Sequence, residues 1–227
     1  MIDINTHLLT GLDDGCKDFS DAGKVILKAK SQGVTSMIIT PQEDINSNIS
    51  ANEIKERFKK FKQIFSKYNV ELYLGAEIDY SKDCLIKVFY KSLLSMNDTK
   101  FVYMNFLNTK EEYDLYRLIR EYLTHGLNII IAHAEYLNLS EKEYMLVKNA
   151  GAYIEVDALS LFDKKHKKIV DYLLKERLID FVSSNVKSSN DDYIMDKAYK
   201  EVIKRTSKDY ADLLFLRNAK NYLMIGK

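Results

Sequence analysis

Strand-like and helix-like stretches alternate along the whole chain, and few folds accept that pattern. Short β-branched or apolar runs predict strands at 2–5, 35–40, 70–78, 101–106, 128–132, 152–156 and 178–183. Between them apolar residues recur three and four apart, the spacing of one helical face. Ala22, Val25, Ile26 and Ala29 form such a stripe within 20–30, and Ile54, Phe58, Phe61, Ile64 and Phe65 another within 51–68. Further helices are expected from Lys82 onward, at 111–125, 140–149 and 166–175, and around 193–204 and 210–223. Pro41, the sole proline, closes the second strand. Seven βα units with short connections require a parallel sheet, because each crossover returns the chain to the same edge. The expected fold class is therefore α/β, in a single domain over 1–227. A closed or nearly closed barrel is the better reading, and a doubly wound open sheet is the alternative.

Composition narrows the function classes. Two cysteines, Cys16 and Cys84, exclude a disulfide framework and a Cys-rich zinc site. Lys+Arg 34 against Asp+Glu 33 leaves no basic footprint for nucleic acid. No apolar run approaches the ~18 residues of a membrane span, and the opening residues are unlike a signal peptide, so a cytoplasmic location is expected. Only six of the cations are arginines, whereas asparagine occurs fifteen times. A cysteine-dependent tyrosine phosphatase needs Arg six residues beyond its Cys, and those positions here are Ala22 and Tyr90.

In parallel α/β folds, polar chemistry gathers where strands end and loops converge. Those ends carry Asn5 and His7, Gln42, Glu77, Asn105, His133, and Asn185 with Lys187. Side chains alternate along a strand, so 5 and 7 are expected on one side, as are 185 and 187. That spacing suits a two-ligand metal pair.

These segments resemble, in order and spacing, the polymerase-and-histidinol-phosphatase (PHP) superfamily, and within it the manganese-dependent tyrosine phosphatases of bacterial capsule and exopolysaccharide clusters. The opening IDINTHLLTGLDDG is similar to that branch's I-D-x-H-x-H-x-L-x-G-x-D-D-G. TPQ resembles its T-P-H, GAE its G-x-E, MNDTKFVYMNF its L-N-[DG]-[TS]…E-F, IAHAEY its A-H-P-E-R, and SSNVK its S-D-A-H. The resemblance implies a distorted, TIM-like (β/α)7 barrel with parallel strands, a manganese cluster, and a bacterial tyrosine kinase or its Tyr-rich tail as partner. Carried over by position, His7, Glu77 and His133 keep metal-ligand types. Asn5, Gln42, Asn105, Asn185 and Lys187 replace the other five of eight. An amide ligates a hard cation weakly through its oxygen, and an ammonium does not ligate at all.

The resemblance gives Glu77, His133 and Asp14 catalytic positions and places Lys187, Tyr136 and Gln42 near the substrate. Tyr136 stands where the family's phosphate-holding arginine is expected. Three readings of function stay open. The leading one is a catalytically impaired relative acting as a binding or regulatory module, with Glu77 neutralised by Lys187 and hydrogen-bonded by the amides. The second is an active phosphoesterase with one weakly held Mn²⁺ or Zn²⁺ on His7, Glu77 and His133. The third is a structural or assembly protein. His166, inside the Lys164–Lys168 run, reads as part of a solvated face.

Overall fold

The computed structural model describes residues 1–43, 49–110 and 112–226. Among them, nine strands occupy seven positions around a curled parallel sheet. β1 (Ile2–Thr6) pairs with β2 (Ser36–Ile39), and β2 pairs with β4 (Glu71–Leu74). The same two chain passes continue as β3 (Gln42–Glu43) and β5 (Glu77–Asp79), which pair with each other. From β5 the sheet runs on through β6 (Phe101–Asn105), β7 (Asn128–Ile131), β8 (Tyr153–Asp157) and β9 (Phe181–Ser183). The edges meet through one parallel bridge between Thr6 and Val186, where the His7 N–H donates to the Val186 carbonyl at 2.9 Å. The result is a distorted, incompletely closed α/β barrel, in agreement with the expected class.

The strand expected at 70–78 is thus broken into β4 and β5. A Cβ on Gly75 would lie 2.7 Å from Met96 Sδ and 3.1 Å from Ile38, so only glycine lets the break pack against its neighbours. Alternation sorts the core: Phe101, Tyr103, Ile130, Ala132 and Phe181 fill the inside, with Leu223 and Ile225 packed beside them. Val102, Met104, Ile129 and Ile131 face the helices. Both faces of the sheet are buried, as parallel sheets require.

The surrounding helices are α1 (Phe19–Ser31), α2 (Ala51–Phe65), α3 (Cys84–Phe89), α4 (Leu115–Thr124), α5 (Glu141–Ala150), α6 (Lys167–Lys175), α7 (Met195–Arg205), α8 (Lys208–Asp212) and α9 (Asn218–Tyr222). α4 starts later than the apolar pattern suggests because the Asp114 carboxylate caps it, accepting from the Arg117 N–H; Glu111, the expected first residue, lies outside the described residues. α5 opens with a capping box, Ser140 and Glu143, and stops at Gly151 in the left-handed conformation. A π-helical turn, Leu213–Arg217, joins α8 to α9. Among the described residues, no helix is long and apolar enough to cross a membrane.

Candidate functional site

A register irregularity between Asp3 and Thr6 re-aims the end of β1. Asn5 and His7 then both point into the barrel mouth, where Glu77 from β5, Asn105 from β6 and His133 from the end of β7 meet them. Glu77 is the hub. Its Oε2 lies 3.2 Å from His133 Nε2 and 3.5 Å from His7 Nε2, and it accepts from Asn5 Nδ2 at 3.2 Å. Its Oε1 accepts from Asn105 Nδ2 at 2.7 Å. The carboxylate of a residue only 3% exposed is therefore satisfied on both oxygens.

Each histidine is fixed from behind by a carboxylate. His7 Nδ1 meets Asp13 Oδ2 at 2.8 Å, and His133 Nδ1 meets Asp157 Oδ1 at 2.7 Å. This is how metal-ligating histidines are oriented, with the far nitrogen held so that Nε2 faces the centre. Asp13 reaches His7 because the 13–16 turn presses against the end of β1. Cys16 N–H donates to the His7 carbonyl at 2.9 Å, and a Cβ on Gly15 would lie 2.1 Å from that oxygen.

The electrostatics follow from these contacts. Burial opposes the charged form of His7, but Asp13 and Glu77 outweigh it and push its pKa up to about 9. Burial likewise opposes the His133 cation, which Asp157 and Glu77 hold well above the usual range. Glu77 is the converse: burial works to raise its pKa, and His133 and His7 keep it well below the ordinary value. The contacts thus favour positive charge on the two imidazoles beside an ionised Glu77.

The expected pairing of Glu77 with Lys187 is corrected by this geometry. Lys187 Nζ lies at the rim, 2.8 Å from Asp14 Oδ2, and both side chains are substantially exposed. The reason is local backbone: β9 ends at Ser183 and Asn185 takes φ 51°, so 185 and 187 do not share a strand face. Asn185 turns to Asp157, donating to Oδ2 at 3.2 Å. Gln42 donates to Asp79 Oδ2 at 2.8 Å. Tyr136, 38% exposed, stands edge-on to His166 with ring centroids 4.4 Å apart. His166 is itself buried and bonded to Asp163 at 2.8 Å, which corrects its reading as part of a solvated face.

Sequence reasoning passed over Asp13 as a partner and missed Tyr103, Glu155 and Asp157 altogether. Tyr103 accepts from Asn5 at 3.0 Å and donates to Glu155 at 2.8 Å. The signal was present: Glu155 and Asp157 alternate in YIEVD, and Tyr103 and Asn105 in FVYMN, so each pair shares a strand face. Burial raises the Glu155 pKa.

The donor set decides which metals the mouth can hold. Asn105 Oδ1 accepts from Leu107 N–H at 2.8 Å and Asn5 Oδ1 from Thr40 Oγ1 at 2.5 Å, so both amide oxygens are engaged away from the centre. With Lys187 turned outward as well, a full cluster finds too few donors. His7 Nε2 and Asn185 Oδ1, however, are buried with no hydrogen-bond partner among the described residues. A second partial set is His133, Glu155 and Asp157, whose ligand atoms lie within 4.8 Å of one another. What the mouth retains is a partial, degenerate metal-binding cluster.

Fold and site together define a PHP-type barrel with a reduced metal centre at the strand ends. The family model described as "Capsular polysaccharide synthesis, CpsB/CapC" matches residues 1–224, and the chain belongs to that family. It is 28% identical over 247 residues to the tyrosine-protein phosphatase CpsB of Streptococcus agalactiae, covering 98% of each chain. It is also 28% identical over 237 residues to the tyrosine-protein phosphatase YwqE of Bacillus subtilis, covering 96% of this chain and 92% of that protein. Among solved structures, one from work on YwqE of Bacillus subtilis and CpsB of Streptococcus pneumoniae, described as metal-dependent tyrosine phosphatases, superposes with TM-score 0.87 at 24% identity, over 99% of this chain and 94% of that one. Histidinol phosphate phosphatase of Lactococcus lactis shares the fold at TM-score 0.61 and 14% identity, over 90% and 92% of the two chains.

Proposed function

We propose that this CpsB/CapC-family chain has lost manganese-dependent phosphatase chemistry and serves as a binding or regulatory module. It would act as one PHP-type domain in the cytoplasm, with a bacterial tyrosine kinase or its Tyr-rich tail as partner. The observation that carries the reading is that Glu77 is hydrogen-bonded by Asn5, Asn105 and His133, with His7 Nε2 beside it at 3.5 Å without a hydrogen bond of its own. A carboxylate that bridges metals needs free lone pairs, and here each oxygen is occupied by donors from the chain itself. The relatives' naming as tyrosine-protein phosphatases supports the ancestral activity. In this reading Lys187 and Asp14 close the rim as an ion pair, and Tyr136 and Gln42 remain substrate-side contacts. The test is hydrolysis of a phosphotyrosine peptide in Mn²⁺, with binding of the same peptide followed calorimetrically. Binding without release of phosphate is expected; turnover comparable to YwqE assayed in parallel would refute the reading.

A second reading, a one-metal phosphoesterase, rests on the two buried atoms without partners, His7 Nε2 and Asn185 Oδ1. With Glu77 and His133 they would hold one Mn²⁺ or Zn²⁺, and such an ion acidifies a bound water and polarises phosphoryl oxygen. Asp13 and Asp157 would keep the two imidazoles aimed. Metal-dependent turnover abolished by Glu77→Gln would favour this reading over the first.

A further inference from the structure

A separate cavity of ≈850 Å³ opens between the turn Ala134–Tyr136 and the starts of α5 and α6. One wall carries Glu135, 3% exposed, whose Oε1 accepts from the Asp157 N–H at 2.9 Å. Its Oε2 is buried with no hydrogen-bond partner among the described residues. The neighbouring Ser160 hydroxyl donates to Tyr136 Oη at 3.2 Å and lies near enough to act on the Glu135 carboxyl as well. A buried carboxyl oxygen left open is destabilising, so it marks a place where a partner is expected from outside the chain.

The opposite wall has the reverse character. α6, nine residues long, begins at His166 with no side-chain cap, so its first N–H groups have no acceptor from that residue. Lys165 and Lys168 line the cavity at this helix start, and Lys142 lines it from α5. An uncapped helix start flanked by ammonium groups favours an anion. Between the two walls, Tyr136 and His166 present an edge-packed aromatic pair, the kind of surface on which a ring's apolar face rests. The cavity therefore offers an acceptor for a hydroxyl, an aromatic flank and a cationic end, in a volume typical of small-molecule sites.

We propose that this cavity binds a phosphorylated sugar, with its hydroxyls toward Glu135 and Tyr136 and its phosphate toward Lys165, Lys168 and the start of α6. The site is independent of the metal question at the barrel mouth, because its cations and helix start belong to residues that the mouth does not use. The experiment is ¹H–¹⁵N NMR titration of the full chain with glucose 1-phosphate, glucuronic acid, glucose and inorganic phosphate, each alone. Glucose 1-phosphate is expected to shift amides at 135–142 and 165–169 and to bind about tenfold more tightly than glucose or phosphate, since each of those carries only half of the complement. Glucuronic acid binding equally well would replace phosphate by carboxylate as the recognised anion and overturn the phosphate assignment. The double variant Lys165→Gln/Lys168→Gln, exposed and away from the core, is expected to weaken glucose 1-phosphate about tenfold while leaving glucose unchanged. Tyr136→Ala should weaken both sugars and leave phosphate unchanged. Absence of saturable shifts with any of the four compounds, or equal binding by the lysine variant, would overturn the proposal.

Discussion

The barrel mouth and the α5–α6 cavity lie side by side, yet they treat their buried glutamates, Glu77 and Glu135, in opposite ways. In the mouth, the polar atoms of Glu77, Asn5 and Asn105 are committed to one another or to backbone within the described residues. In the cavity, a buried oxygen of Glu135 is left open and cationic side chains line the wall. The amides at the mouth leave no hole there: Asn5 and Asn105 hydrogen-bond Glu77, and His7 and His133 stand beside it at ion-pair distance. A satisfied network of this kind is rigid and costly to break, whereas an unsatisfied wall sacrifices stability and keeps the capacity to bind.

The comparison is broken most severely by Glu77→Ala. It strands two buried imidazoles and two amides together, and removal of one partner from a buried charge network costs about 3–5 kcal/mol. Urea unfolding of the variant should show that loss; a cost below about 1 kcal/mol would mean that the mouth is not the self-neutralised unit described here. A neighbouring carboxylate sharpens the point. Glu43, one strand residue beyond Gln42, is as buried as Glu77, but burial pushes its pKa up to about 7, against the lowering effect of the Leu94 N–H and the charge of Lys55. Because the folded pKa lies above the unfolded value of 4.5, the native state holds this proton more tightly. Its stabilisation is complete below about pH 4.5 and is lost as pH rises through about 7, a decrease of about 3 kcal/mol. Unfolding free energies measured from pH 4.5 to 8 should show that decline in the wild type and a shallower one in Glu43→Gln. The smallest effect belongs to the cavity: Lys165→Gln/Lys168→Gln should leave stability within about 0.5 kcal/mol of the wild type, because exposed cations without close partners hold little of the fold together.

Much of this architecture was legible in the sequence, for identifiable reasons. Apolar period and strand spacing gave the parallel α/β sheet, since each βα unit must bury both faces of its strand, and the family resemblance favoured a barrel over an open sheet. Asn5, His7, Glu77 and His133 come together at the mouth, the first two across a register irregularity in β1. Alternation failed where the backbone turns left-handed: Asn185 has φ 51°, and a rule of alternation carries no information across such a residue. That is why Lys187 was expected beside Glu77 and stands instead beside Asp14. His166 was misread for a different reason. Its lysine neighbours are solvated, but as the residue preceding α6 it folds inward onto Tyr136 and Asp163. The motif positions also left out Asp13, Glu155 and Asp157, which enter the mouth from outside the eight expected ligand positions.

The central claim, that the chain's own side chains have replaced the metal cluster, is tested most directly by metal stoichiometry. The purified protein would be stripped with chelator, dialysed against Mn²⁺ or Zn²⁺, freed of unbound ions and measured by elemental analysis, with YwqE treated alongside. At most one ion per chain is expected here, because only His7 Nε2 and Asn185 Oδ1 are left open at the centre among the described residues. Two or more tightly held ions per chain would contradict the account, since they would require the asparagines and Glu77 to release the bonds they make to each other.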